Sequence, residues 1–151
     1  MSLTVQAPLA GTVIDLEQVP DQVFAGRFVG PGTAIEPDRS AGEVTAVAPV
    51  AGTVAKVHPH AFVIAVDDGR GVLVHLGLDT VGLKGEGFTV HVGDGDRVAA
   101  GDAIVTWNPS DVADHGLSPV VPVIALDAAE EEVAVTATGA VQQGDEVLSW
   151  G

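Results

Sequence analysis

Turn formers punctuate this chain from end to end. Nineteen glycines and nine prolines are spread evenly along it, and the apolar segments between them are short runs of Val, Ala and Ile. A helix that buries one face needs an apolar repeat of 3.6 residues sustained over several turns, and long stretches of that kind are nearly absent. Brief β-branched runs bounded by Gly and Pro predict many short strands instead. The expected fold class is therefore all-β, an antiparallel β-sandwich or barrel with one or two short helical turns. At 151 residues the chain is expected to form one domain, spanning 1–151, with a core of its own.

Two internal echoes refine that picture. Ala7-Pro8-Leu9-Ala10-Gly11-Thr12-Val13 returns as Ala48-Pro49-Val50-Ala51-Gly52-Thr53-Val54. Val98-Ala99-Ala100-Gly101-Asp102, followed by Trp107, returns as Val141-Gln142-Gln143-Gly144-Asp145, followed by Trp150. Each unit reads as strand, Gly-held turn and strand. A duplicated β unit with pseudo-two-fold character is the simplest account, since the copies are too few and too far apart for a solenoid. One helix is predicted from Asn108-Pro109-Ser110-Asp111, with Asn as N-cap and Pro in the first turn, ending at His115-Gly116. Asp127–Glu132 is expected to be a single helical turn or a loop.

The charge balance narrows the partners. Twenty-one acids against six bases leave a formal charge of −15. Phosphates would repel such a surface, so nucleic acid and a direct hold on an anionic membrane are disfavoured, while basic proteins are favoured. Plain solubility explains the acids equally well. Without cysteine there is no disulfide framework and no thiol chemistry. No segment approaches the ~20 apolar residues of a membrane span, and the first residues lack a signal-peptide pattern; a soluble, cytoplasmic protein is expected.

The stretch His60–Asp79 concentrates the chemistry. It reads as two apolar strands, Ala61–Val66 and Gly71–Leu76, joined by an Asp-Gly turn. With Asp68-Gly69 as a two-residue loop, Val66 pairs with Gly71, Ile64 with Leu73 and Phe62 with His75. His60 then lies diagonally beside His75 on one face, with Cα atoms roughly 7–8 Å apart. A slip of one residue would send the two rings to opposite faces. Asp79 follows four residues after His75. The other histidines are explained locally: His115 faces the negative end of its helix, and His91 sits in a strand-like segment without chemical neighbours. The Gly93–Asp96 run lacks the spacing of a calcium loop and predicts a hairpin turn. Lys84-Gly85-Glu86-Gly87 is expected to let backbone pass close to the histidine face.

These pieces resemble the glucose-type enzyme IIA domain of the bacterial phosphoenolpyruvate-dependent sugar phosphotransferase system. The likeness runs through APLAG (7–11), VPDQVF (19–24), GPGTAI (30–35), VAPVAGT (47–53), HAF (60–62), VLVHLGLDTV (72–81), LKGEGF (83–88), VAAGD (98–102) and SPVV (118–121). The H-x-G-x-D-T segment preceded by H-A-F is its most specific part. The resemblance implies a sandwich of duplicated hybrid motifs that carries phosphate on a histidine. His75 would be phosphorylated on Nε2, and His60 would support the transfer. Phosphate would arrive from the carrier HPr and leave to a cysteine on the IIB domain of a glucose- or N-acetylglucosamine-type permease. Regulated transporters or metabolic enzymes are further partners of such domains. Asp21 and Asp79 match the rim of the docking face, and Val23 and Phe24 its apolar part. Asp79 could equally cap the turn after the strand. A nucleophilic imidazole must be neutral, so Nδ1–H is expected to bond a backbone carbonyl near Gly77. The chain departs from the family pattern in Val57-His58-Pro59-His60, a segment shorter by two, where Thr or another small residue is common just before the supporting histidine, and mildly at Ser118. It reads as a free-standing IIA without an amphipathic N-terminal extension, which places IIB and IIC on other polypeptides.

Two other readings compete. His58, His60, His75 and Asp79 have the residue types of a zinc hydrolase, although the order of the HxH and HxxxD pairs is reversed relative to peptidoglycan peptidases. No metal is needed for transfer between two nitrogen nucleophiles, but zinc shared with a partner at His60 and His75 stays open. A lipoyl- or biotinyl-type carrier fails because Lys84, in Leu83-Lys84-Gly85-Glu86, lacks the required turn-tip context.

Overall fold

The computed structural model describes residues 2–151. In chain order the strands are β1 (Leu3–Gln6), β2 (Gly11–Ile14), β3 (Gly32–Pro37), β4 (Val44–Val47), β5 (Gly52–His58), β6 (Ala61–Ala65) and β7 (Gly71–His75). They continue as β8 (Thr89–Val90), β9 (Arg97–Val98), β10 (Ala103–Trp107), β11 (Val121–Ala125), β12 (Val133–Val135), β13 (Gly139–Val141) and β14 (Glu146–Trp150). Two short α-helices, α1 (Gln22–Ala25) and α2 (Pro109–Asp114), and three 3-10 turns at Leu16–Gln18, Thr80–Leu83 and Glu130–Glu132 interrupt them. The expected antiparallel β-sandwich is the observed architecture. Its large sheet runs β13-β2-β3-β11-β7-β6-β5-β9, and two three-stranded sheets, β1-β14-β12 and β4-β10-β8, close over it.

The sequence echoes are a structural pseudo-dyad. Gln6 N–H donates to the Pro49 carbonyl and Val47 N–H to the Pro8 carbonyl, both at 2.9 Å, so the two Ala-Pro units bind each other reciprocally. Ala7 pairs with Gly144 and Asp145 as Ala48 pairs with Gly101 and Asp102. Asp102 accepts from Ala99 N–H and Asp145 from Gln142 N–H, each at 2.8 Å, which closes both Gly-Asp turns in the same way. Trp107 and Trp150 then occupy equivalent places at the ends of β10 and β14, both buried in the main core.

The β6–β7 hairpin departs from the expected register. Ala61 faces His75, Phe62 faces Val74 and Ile64 faces Val72, one residue from the expected alignment. The loop has three residues, Asp67-Asp68-Gly69, flanked by a Val66 N–H to Arg70 carbonyl bond. Gly69 takes φ +95°, the left-handed position that such a loop requires. Burial explains the choice. Phe62, Ile64, Val72 and Val74 are all buried on one face, within the main core. Full burial of each large apolar side chain is worth roughly 1.5–3 kcal/mol, so the other register would forfeit several kcal/mol.

A second, smaller core lies on the opposite face of the large sheet. Leu16, Val19 and Phe24 from the loop around α1 pack there with Ala34, Leu78, Val120 and Ile124. Asp21 caps α1 through a 2.9 Å bond from Val23 N–H. Arg27 ties the loop down by ion pairs to Glu17 and Glu130. This satellite core sets the α1 segment next to the end of β7.

Candidate functional site

His75 is the last residue of β7, half-buried on the face that carries the satellite core. The chain turns sharply after it. Gly77 takes φ +82° and Asp79 φ +58°, and the turn brings the Gly77 carbonyl 2.5 Å from His75 Nδ1. Nδ1 therefore donates its hydrogen to that carbonyl, and Nε2 keeps its lone pair. Burial is the largest influence on the ring and pushes its pKa below the usual 6.5, against the Gly77 bond and the carboxylates of Asp21 and Asp79, which favour the proton. The neutral form prevails at pH 7.

His60 meets this ring despite the shifted register. β5 and β6 are joined by a two-residue turn, Pro59-His60, because His58 pairs with Ala61. A turn residue is released from strand alternation, so His60 does not follow its opposite neighbour Leu76 into the core. Its carbonyl accepts from Leu76 N–H at 2.7 Å, while its ring stands edge-on to His75 with centroids 5.4 Å apart. Burial, then the neighbouring His75 and His58, pushes the pKa of His60 down as well. His58, which is exposed, stacks on His60 with ring centroids 5.5 Å apart. Gly85 packs against Pro59, since a Cβ there would lie 3.1 Å from its ring, so the Gly-rich segment does approach the histidine turn.

The remaining site residues separate by depth. Phe24 is buried, and its ring lies 5.3 Å from that of His75, so it walls the imidazole from within. Val23, which precedes Phe24 in α1, is half-exposed, and Phe28, after α1, and Val81, in the turn after Asp79, are exposed apolar side chains. Phe28 and Val81 escaped the sequence reading because single exposed apolar residues in short turns carry no periodicity. The Asp79 side chain makes no capping bond to the turn that follows it, which removes the capping alternative. His91 bonds Thr106 through Nε2 at 2.7 Å, and His115 bonds the Asp111 carbonyl through Nδ1 at 2.7 Å, so both are tied down away from the histidine pair. Among the described residues, no three His, Cys, Asp or Glu side chains are placed to hold a metal ion. His58, His60, His75 and Asp79 thus do not assemble as the hydrolase set. With Nδ1 committed to Gly77, His75 presents only Nε2.

A shallow surface with a neutral imidazole, one free nitrogen and a second imidazole beside it suits reversible transfer of a small electrophile between nucleophiles. Known proteins agree with that chemistry. Residues 3–131 match the family described as phosphoenolpyruvate-dependent sugar phosphotransferase system, EIIA 1. The chain is 44% identical over 142 residues to the glucose-specific EIIA component of Halalkalibacterium halodurans, covering 90% of this chain and 80% of that protein. It is 37% identical over 149 residues to the Bacillus cereus protein of the same description, covering 96% and 88%. The solved glucose permease IIA from Mycoplasma capricolum superposes with a TM-score of 0.89 at 38% identity, covering 99% of this chain and 96% of that one. The chain therefore belongs to the EIIA family of the sugar phosphotransferase system and is a phosphoryl carrier that works through a phosphohistidine.

Proposed function

We propose that His75 is the residue that carries the phosphoryl group, on Nε2, and that the whole chain, 1–151, acts as a single cytoplasmic IIA domain. The observation that carries this reading is the Nδ1–H bond to the Gly77 carbonyl, which leaves Nε2 as the nucleophilic nitrogen next to His60. The Nε2 lone pair attacks phosphorus of phospho-HPr. The donor's N–P bond breaks as the Nε2–P bond forms, and the electron pair returns to the donor imidazole. In the second step a cysteine thiolate of the IIB domain attacks phosphorus, and the Nε2–P bond breaks. The permease served is of the glucose or N-acetylglucosamine type.

His60 supplies an N–H to the phosphoryl oxygens, where charge spreads in a loose transition state. No metal is required for reversible transfer between the donor imidazole and His75, two nitrogen nucleophiles of similar phosphoryl potential. Phe24 behind the ring and Val23 at its edge exclude water that would otherwise hydrolyse the phosphoramidate. Asp21 and Asp79 attract the basic residues of the docking carrier.

The test is transfer in a defined mixture of phosphoenolpyruvate, enzyme I, HPr and this protein. An acid-labile, alkali-stable phosphate is expected on the wild type and none on His75→Ala. His60→Ala is expected to accept phosphate at least in part but to fail in onward transfer to IIB. Normal onward transfer by that variant would refute the supporting role.

A further inference from the structure

Two polar side chains are buried among the described residues, Thr33 and Thr80. Thr33 donates to the Ile14 carbonyl between neighbouring strands and is explained by the sheet. Thr80 is fully enclosed, and its Oγ1 donates to the Leu76 carbonyl at 2.9 Å. That bond closes the loop from Leu76 to Thr80, in which Gly77 stands second. The same side chain also underlies Gly77: a Cβ built on Gly77 would lie 2.7 Å from the Thr80 methyl. Leu78 N–H donates to the Ser118 carbonyl at 2.8 Å and holds the far side of the loop. Hydroxyl and methyl of one residue thus hold the peptide whose carbonyl receives the His75 Nδ1 hydrogen.

We propose that Thr80 is a positioning residue for phosphoryl acceptance: by keeping the 76–80 loop closed, it holds the Gly77 carbonyl on Nδ1 of His75 and so keeps Nε2 free of its proton. The inference rests on His75 being the acceptor. Free neutral histidine prefers its hydrogen on Nε2, and in that tautomer Nε2 has no lone pair with which to attack phosphorus. The site must therefore impose the less favoured tautomer, and a hydrogen bond at the other ring nitrogen is how proteins do so. Hydrogen bonds weaken steeply once the donor is misaligned, so a small shift of the Gly77 carbonyl releases the ring. Thr80 touches neither phosphate nor partner. Its effect passes through the backbone alone.

The decisive measurement is the ring ¹⁵N spectrum of His75 in the unphosphorylated protein, at a pH where the ring is neutral. The wild type is expected to show hydrogen on Nδ1 and a bare Nε2. Thr80→Val keeps the shape and removes the hydroxyl; it is expected to show a substantial population with hydrogen on Nε2. Its rate of uptake from phospho-HPr should fall roughly tenfold or more, and Thr80→Ser, which returns the hydroxyl without the methyl, should restore most of both properties. A wild-type tautomer in folded Thr80→Val would overturn the proposal. If Thr80→Val does not fold, Thr80→Ser and Thr80→Ala, which differ only by the hydroxyl, make the same comparison, and equal tautomers in the two would overturn it. The tautomer is read without any phosphoryl donor. A wild type that takes no phosphate would therefore refute the acceptor assignment while leaving the Thr80 result readable on its own.

Discussion

Gly77 joins backbone geometry to chemistry. At φ +82° a side chain is strained by itself, and a Cβ would press on the Ser118 carbonyl oxygen at 3.0 Å as well as on Thr80. Backbone oxygen cannot swing aside as a flexible side chain can. Gly77→Ala is expected to cost about 2 kcal/mol or more, read as a lowered urea midpoint, and to slow phosphoryl uptake together with it. An unchanged midpoint would contradict the packing described. The histidine rings make a second prediction. Both have folded pKa values below the 6.5 they would show unfolded, burial being the leading cause. Above pH 6.5 neither state protonates them, and their full contribution to stability is present. As pH falls below 6.5 the unfolded chain binds protons that the folded chain does not, so stability declines until the folded rings also protonate. Asp38, Asp67, Asp68 and Asp94, held below 3.8 by hydrogen bonds, act in a separate, lower window. The denaturation midpoint should therefore drop between about pH 7 and pH 5.5 in the wild type. The drop should be much smaller in a His60→Gln, His75→Gln variant. Equal slopes would show that other groups are responsible.

At the scale of elements, α2 was legible almost to the residue. Asn108 caps it, with Oδ1 accepting from Ser110 N–H at 2.9 Å, and Pro109 opens its first turn. The helix matters beyond itself because Val112 lies 3.4 Å from where a Gly77 Cβ would stand. Asn108→Ala is expected to cost about 1 kcal/mol and to lower the melting temperature by roughly 3 °C. The β6–β7 register was not legible. Asp67-Asp68-Gly69 can serve a two-residue or a three-residue loop, since Gly69 satisfies either. The choice is made by which face meets the core, and that depends on strands distant in sequence. The convergence of His60 on His75 was anticipated, yet through the wrong route. A diagonal strand pair was expected, and a turn residue that escapes the alternation is what the structure has.

Across the whole molecule, the duplicated units build the frame, and the −15 charge sets its field. Asp21 and Asp79 both act electrostatically on His75; under the docking role proposed for them, a basic carrier would be drawn to this face from beyond contact distance. The association rate with HPr should fall several-fold as ionic strength rises from ~0.05 M to ~0.3 M, measured by stopped flow, because the Debye length shrinks to a few ångströms. A rate independent of salt would show that apolar contact, through Val23, Phe28 and Val81, governs the encounter instead.

The amino-acid sequence by itself determined the short strands, the positions of the turns, the twofold repetition, the cap of α2 and the presence of two histidines in one hairpin region. These depend on φ/ψ preference, side-chain period and local hydrogen bonding, which act over a few residues. Only the tertiary structure decided which face each strand buries, how the Pro59-His60 turn aims an imidazole, where Phe24 packs against His75 and how Thr80 comes to lie beneath Gly77. Those outcomes follow from burial of apolar surface shared among segments far apart in the chain, and the neighbours that settle them are assembled only by folding.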